Sequence, residues 1–161
     1  MMTMHTTHST DRWLIALGLA AAAALAAALA LQFIGGYAPC HLCVLERYPY
    51  LVVMVACGLG LWLKWPRLAL GVSALALVTV VGLAVFHVGV EQGWFALPES
   101  CAAVGRATSL EDLKAQLHAA PARCDQVPLA LLGLSLAAWN GIYAAAMLVA
   151  ALLGLRRSFS S

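Results

Sequence analysis

The chain has 161 residues, of which 63% are hydrophobic and 10% charged, with a formal net charge of +2. That is too little charge to cover a soluble domain of this size, and the absence of a basic stripe argues against a nucleic-acid partner. Long apolar runs between short polar breaks indicate an integral membrane protein in contact with lipid.

In chain order, Met1 to Arg12 is polar and reads as a short tail, with His5 and His8 solvated rather than metal-bound. The first apolar run, about 13–34, is long enough to span about 30 Å of hydrocarbon at about 1.5 Å per residue. Its alanines, Ala20 to Ala24, permit close helix approach. A cleaved signal peptide is the alternative. The run exceeds a usual signal core and carries Gln32 near its outer end, so retention as a span is expected. A loop, about 35–43, follows: Gly35-Gly36 ends the helix and Pro39 stiffens the approach to Cys40. The second span, about 44–63, places Glu46 and Arg47 near the interface and contains Pro49. Proline is tolerated in a first turn and clashes further in, so the helix either begins near Pro49 or bends there.

The tight basic turn Lys64-Trp65-Pro66-Arg67 leads into a third span, about 68–90. The outer segment of about 91–127 carries five acidic and three basic side chains together with Cys101 and Cys124. Within it, Ser109-Leu110-Glu111-Asp112 resembles a capping box, and Leu110, Leu113 and Leu117 share one helical face. This predicts a short amphipathic helix on the membrane surface. A fourth span, about 128–155, carries Gly133, Ala137, Gly141 and Ala145 at intervals of four, a smooth stripe for helix contact. Ser135 and Asn140 are polar inside this run and are expected to hydrogen-bond to a neighbouring helix. The expected fold is an all-α four-transmembrane-helix bundle forming a single membrane domain over residues 1–161.

Arg12, Lys64, Arg67, Arg156 and Arg157 fall on one side of such a bundle, close to span ends. Arg47, Arg106, Lys114 and Arg123 fall on the other, mostly dispersed through the acid-rich segment. The bias places both termini in the cytoplasm and Cys40, Cys43, Cys101 and Cys124 outside. An oxidising compartment outside suits four cysteines there. Cys57, inside an apolar run, is expected to be a small apolar filler.

Cys40-His41-Leu42-Cys43 has the spacing of an exchangeable redox pair. Read as a zinc half-site, it needs two more soft ligands nearby. Zinc could take all four outer cysteines, but Cys101 and Cys124 lack the short spacing usual in such sites. A c-type haem site needs histidine directly after the second cysteine, and Val44 stands there. Two disulfides able to exchange electrons fit better, and no metal is expected.

Pro39-Cys40-x-x-Cys43 with Arg47, Phe86-His87-Val88-Gly89-Val90-Glu91 closing the third span, Cys101, and Cys124 ahead of Leu132-Gly133-Leu134-Ser135 and Trp139-Asn140 together resemble the DsbB-type disulfide bond formation proteins of bacterial inner membranes. The resemblance runs from the first span to the last. It departs in a shorter second outer loop and in Ala137, where a proline is common. It implies a four-helix bundle that reoxidises a periplasmic, thioredoxin-fold DsbA-like oxidant and passes electrons to membrane quinone, either ubiquinone or menaquinone. By the same resemblance, Cys101 and Cys124 form the pair met by the partner, with Cys101 attacked first and Cys124 resolving the mixed disulfide or relaying to Cys40. Cys43 faces the quinone, with Arg47 beside both. His87 also lines the quinone pocket by this reading; read alone, it is a histidine bonded to a neighbouring helix.

Energetics bear on the same point. Moving two electrons from a DsbA-like couple near about −120 mV into an ordinary structural disulfide near about −300 mV runs roughly 8 kcal/mol uphill. At least one disulfide here must therefore be strained or have a stabilised reduced form. Cys43, near a helix start and with a cation four residues on, is the candidate. Two other readings differ in chemistry. A vitamin K epoxide reductase-like enzyme also uses quinone and four cysteines, but carries its close pair in a later helix. A metal-binding or assembly protein would hold purely structural disulfides.

Overall fold

The computed structural model describes residues 3–101, 109–111, 122–127 and 129–160, with side chains from Thr10 onward. Four of its helices are long and apolar enough to cross a membrane. The first, α1 (Thr3–Phe33), takes the polar residues before Arg12 into its first turns rather than leaving them as a tail. The second span is two pieces, α2 (His41–Leu45) and α3 (Arg47–Trp62). Pro49 explains the break. It has no N–H for the Leu45 carbonyl, and its ring would press on that oxygen. The helix restarts at Arg47, which puts Pro49 in a first turn where the missing donor costs nothing. Glu46 sits at the joint, its N–H donating to the Leu42 carbonyl at 3.0 Å. Helix α4 (Pro66–Glu91) opens on a proline for the same reason and carries the third span.

The last span differs from the expected 128–155. A two-stranded antiparallel hairpin, β1 (Ala130–Leu131) and β2 (Leu134–Ser135), pairs Ala130 with Ser135 and Leu131 with Leu134. Its two turn residues, Leu132 (φ 54°) and Gly133 (φ 80°), are both left-handed, as tight hairpins require. Helix α5 (Leu136–Phe159) begins only after it. Ser135 caps that helix, accepting from the Ala138 N–H at 3.2 Å, rather than bonding to a neighbouring helix. The expected stripe shifts accordingly: Gly133 lies in the turn and Ala145 is exposed, while Ala137, Ala144, Met147, Ala151 and Gly154 are buried. Leu110 and Glu111 are helical, but the rest of the expected amphipathic helix, with Leu113 and Leu117, lies outside the described residues, as do Arg106, Lys114 and Pro128.

The helices close a ring in which α1 packs on α3 and α5, and α4 packs on the same two. Leu14, Leu17, Val53, Leu70, Leu77, Val80, Ala144 and Met147 fill the centre. Cys57 lies among them as a free thiol, its Sγ 3.7 Å from the Ser73 hydroxyl. Leu75, Val85 and Val149 point outward, as a lipid-facing surface requires.

Arg67, Arg157 and Lys64 gather at one end. Arg67 donates to the Ser158 carbonyl at 3.0 and 2.6 Å and lies over Phe159, Arg157 lies over Trp13, and Lys64 is 3.9 Å from Asp11. The chain directions of the helices put the end of α1, the start of α3, the end of α4 and the start of α5 at the opposite end, and the cysteines are there.

Candidate functional site

Gly35 and Gly36 end α1, and an extended stretch carries the chain to Cys40, which caps α2. The Cys43 N–H donates to Cys40 Sγ at 3.1 Å. Three residues of one helical turn bring the two Cα atoms to 5.1 Å, and the sulfurs are bonded. Cys101 ends a short 3-10 turn (Glu99–Cys101) and is bonded to Cys124, with Cα atoms 5.4 Å apart. Beside Cys124, Arg123 donates to both oxygens of Asp125 at 3.0 and 2.7 Å, and these bonds hold that carboxyl below the usual carboxylate range.

Both disulfides lie in one apolar cluster. Cys40, Leu42, Val90, Cys101 and Cys124 are its buried members, with Cys43, Phe86 and Leu97 packed against them. The loop after α4 folds back over it. Phe95 stacks on Phe86 at 5.4 Å between ring centroids and sits against Gly89, where any side chain would strike the Phe95 ring. Loop and helix can be this close only because residue 89 has no Cβ.

Beneath the close pair is a mainly apolar cavity of about 470 Å³, bounded by α1, α3, α4 and α5. Cys43, Glu46, Arg47, His87 and Asn140 reach it, against the alanine face of α1. Arg47 donates through Nη1 to Gln32 Oε1 at 2.7 Å, while its Nε is buried without a partner among the described residues. His87 is 3% exposed, and its ring joins both sides of the site. Nδ1 is 3.0 Å from Glu46 Oε1, and Nε2 is 3.6 Å from Cys40 Sγ. Glu46 Oε2 accepts from Asn140 Nδ2 at 2.8 Å, and Asn140 Oδ1 accepts from the Tyr50 hydroxyl at 2.7 Å.

The six residues singled out from the sequence thus fall at one end of the bundle. Cys43, Arg47 and His87 line the cavity, and Cys40, bonded to Cys43, shares the apolar cluster with Cys101 and Cys124. His87 both lines the cavity and bonds to a neighbouring element. Asn140 bonds to neighbouring helices as expected of a polar residue in a span. Sequence reasoning missed Glu46, Glu91, Tyr50 and Gln32. For Glu46 a signal existed, since an ionisable residue within an apolar run is functional by default.

Comparison with known proteins agrees with this geometry. A family model described as "Disulfide bond formation protein DsbB" matches residues 10–154. An uncharacterised protein of Rickettsia prowazekii (strain Madrid E) is 28% identical over 124 residues, which cover 73% of this chain and 71% of that protein. No solved structure matches the chain. A multi-pass bundle with two cysteine pairs at bonding distance, matched across nearly its whole length, is that of a disulfide oxidoreductase, and the chain belongs to the DsbB family of disulfide bond formation proteins.

Proposed function

We infer that the protein reoxidises a periplasmic thioredoxin-fold, DsbA-like oxidant and delivers the electrons to membrane quinone in a bacterial inner membrane. Both termini are then cytoplasmic and the cysteine loops periplasmic. The observation that carries this reading is the cavity. It opens on Cys43, is mainly apolar, and is lined by half-buried Arg47, whose Nε is buried with no partner among the described residues. A volume of about 470 Å³ lies within the range of small-molecule sites. A buried donor without an acceptor is costly, so the cavity suits an apolar ring bearing a carbonyl oxygen. Arginine fits such an oxygen well because it stays charged and offers several donors in one plane.

The chain's own residues carry the thiol chemistry. A partner thiolate attacks Cys101, forming the mixed disulfide and releasing Cys124 as a thiolate. Resolution of the mixed disulfide frees the oxidised partner. Cys124 attacks Cys40 across the shared apolar cluster, and Cys43 leaves as a thiolate beside Arg47. The cation favours that thiolate and makes Cys43 the better leaving group. Cys101, freed when the mixed disulfide is resolved, attacks Cys124, which re-forms the Cys101–Cys124 bond and releases Cys40 as a thiolate. Closure of the Cys40–Cys43 dithiol then gives up two electrons and, with them, the two protons brought by the partner's thiols. Quinone, when bound, supplies the two-electron acceptor.

Arg47 is the residue to test, because an interfacial anchor would also be an arginine at this depth. Arg47→Ala is expected to raise the Michaelis constant for quinone about ten- to a hundredfold, the loss of one charge-assisted hydrogen bond. It should also shift Cys43 alkylation to higher pH. Arg47→Lys should keep the alkylation profile and weaken mainly quinone affinity. Quinone reduction against quinone concentration, with alkylation followed against pH, reads both. Wild-type behaviour of Arg47→Ala in both assays would reduce Arg47 to an anchor.

A further inference from the structure

Between the close cysteine pair and the outer end of α4 lies a set of ligand atoms whose grouping disulfide exchange alone does not require. The ligand atoms of Cys40, Cys43 and His87 all lie within 4.8 Å of one another. Glu91, one turn after His87 on α4, brings Oε1 to 3.9 Å from His87 Nε2. In a tetrahedral zinc site, bond lengths of about 2.3 Å to sulfur and about 2.0 Å to nitrogen and oxygen put neighbouring ligands roughly 3.3–3.8 Å apart. The observed 3.6 Å from Cys40 Sγ to Nε2 is within that range; Glu91, 3.9 Å from Nε2, lies outside the group of three, so its carboxylate must move to join them. We propose that, once reduced, Cys40 and Cys43 join His87 and Glu91 in a binding site for a thiophilic divalent cation of the zinc type.

Two further observations point to a cation. The first is the state of His87. Its Nδ1 donates to the Glu46 carboxylate at 3.0 Å, which leaves Nε2 as the ring nitrogen that faces the cysteines. A ligating histidine anchored through its other nitrogen to a carboxylate is the usual arrangement in zinc sites. Here the carboxylate is itself held by Asn140, and Asn140 by Tyr50. The second is Glu91. Its side chain is only 4% exposed, and its Oε2 is buried with no hydrogen-bond partner among the described residues. A buried carboxylate oxygen lacking a donor is costly unless a cation meets it.

The site is gated by oxidation state. Bonded to each other, the two sulfurs are poor ligands; reduced, they supply two thiolates. Binding one divalent ion releases two protons, one from each thiol, and moves no electrons. With both thiolates ligated the pair cannot close, so the ion holds the protein in its reduced form. Nothing here depends on quinone, so failure of the proposed acceptor and failure of this site are separable.

The test uses the full-length chain in detergent, free of quinone, with Cys57→Ala, Cys101→Ser and Cys124→Ser leaving only the close pair. Cadmium is the probe, followed by its sulfur-to-metal charge-transfer absorption, and zinc affinity is measured by competition with a chromophoric chelator. One ion per chain is expected after reduction and none after oxidation. Glu46→Gln is expected to weaken binding about 10–100-fold, and His87→Ala and Glu91→Gln at least about tenfold each. The two glutamine variants preserve shape, so they decide the matter even where His87→Ala does not fold. Unchanged affinity in both glutamine variants, or binding that survives oxidation, would overturn the proposal.

Discussion

Glu46 is the residue on which the site's geometry turns. Its two oxygens tie His87 on α4 and Asn140 on α5 to the joint between α2 and α3. A carboxylate this buried is tolerated only because both oxygens are satisfied. Cys40 and Cys43 stand out in the sequence as a short local pattern and Cys101 and Cys124 as cysteines on the same side of the membrane, whereas Arg47 and His87 were singled out through the family resemblance. The contacts of Glu46 were not legible, since its partners lie 41 and 94 residues away in the chain and no local spacing records such a contact. Cys57 shows the converse. Its position inside an apolar run predicts packing without chemistry, and the structure places it against Ser73 and Gly18, remote from both disulfides. Cys57→Ala removes one small buried group and should cost about 0.5–1.5 kcal/mol of stability. Thiol-oxidase turnover should stay near wild type; a large loss in that assay would mean that electrons take another route.

Among the elements, the fourth span shows what hydropathy can and cannot resolve. Residues 129–135 are nearly all apolar, so the run reads as continuous with the helix that follows. The signals for a turn were there but weak. Gly133 stands where the backbone is left-handed, and Ser135 precedes the first helical residue as a cap should. The hairpin is tied to α5 by the Trp139 Nε1–H, which donates to the Leu131 carbonyl at 3.0 Å. Gly133→Ala puts a Cβ into a left-handed residue, at a cost of roughly 1–2 kcal/mol. Faster amide hydrogen exchange in the hairpin is expected, with α5 unaffected beyond its first turn. Unchanged exchange at Leu131 and Leu134 would mean that the turn tolerates a side chain. The break at Glu46, by contrast, was readable from Pro49 alone, because the clash of a proline ring with the preceding turn is a local effect.

For the whole molecule, Lys64, Arg67 and Arg157 lie at one end and both disulfides at the other. The four-helix architecture followed from apolar run lengths, and the basic end from arginine and lysine counts near the span boundaries. The cavity was not legible, since it depends on small alanines of α1 facing the starts of α3 and α5. If the basic end is cytoplasmic, an impermeant thiol reagent applied to intact cells after reduction should label Cys101 and spare a cysteine introduced at Lys64. The reverse pattern would invert the protein. The central claim is that quinone closes both disulfides of this chain, and the most direct measurement is an anaerobic thiol count after denaturation. The fully reduced protein has five thiols. Each quinone accepts two electrons, so one equivalent should leave three thiols, and two equivalents should leave only Cys57. A count that stays at five in excess quinone would contradict the account.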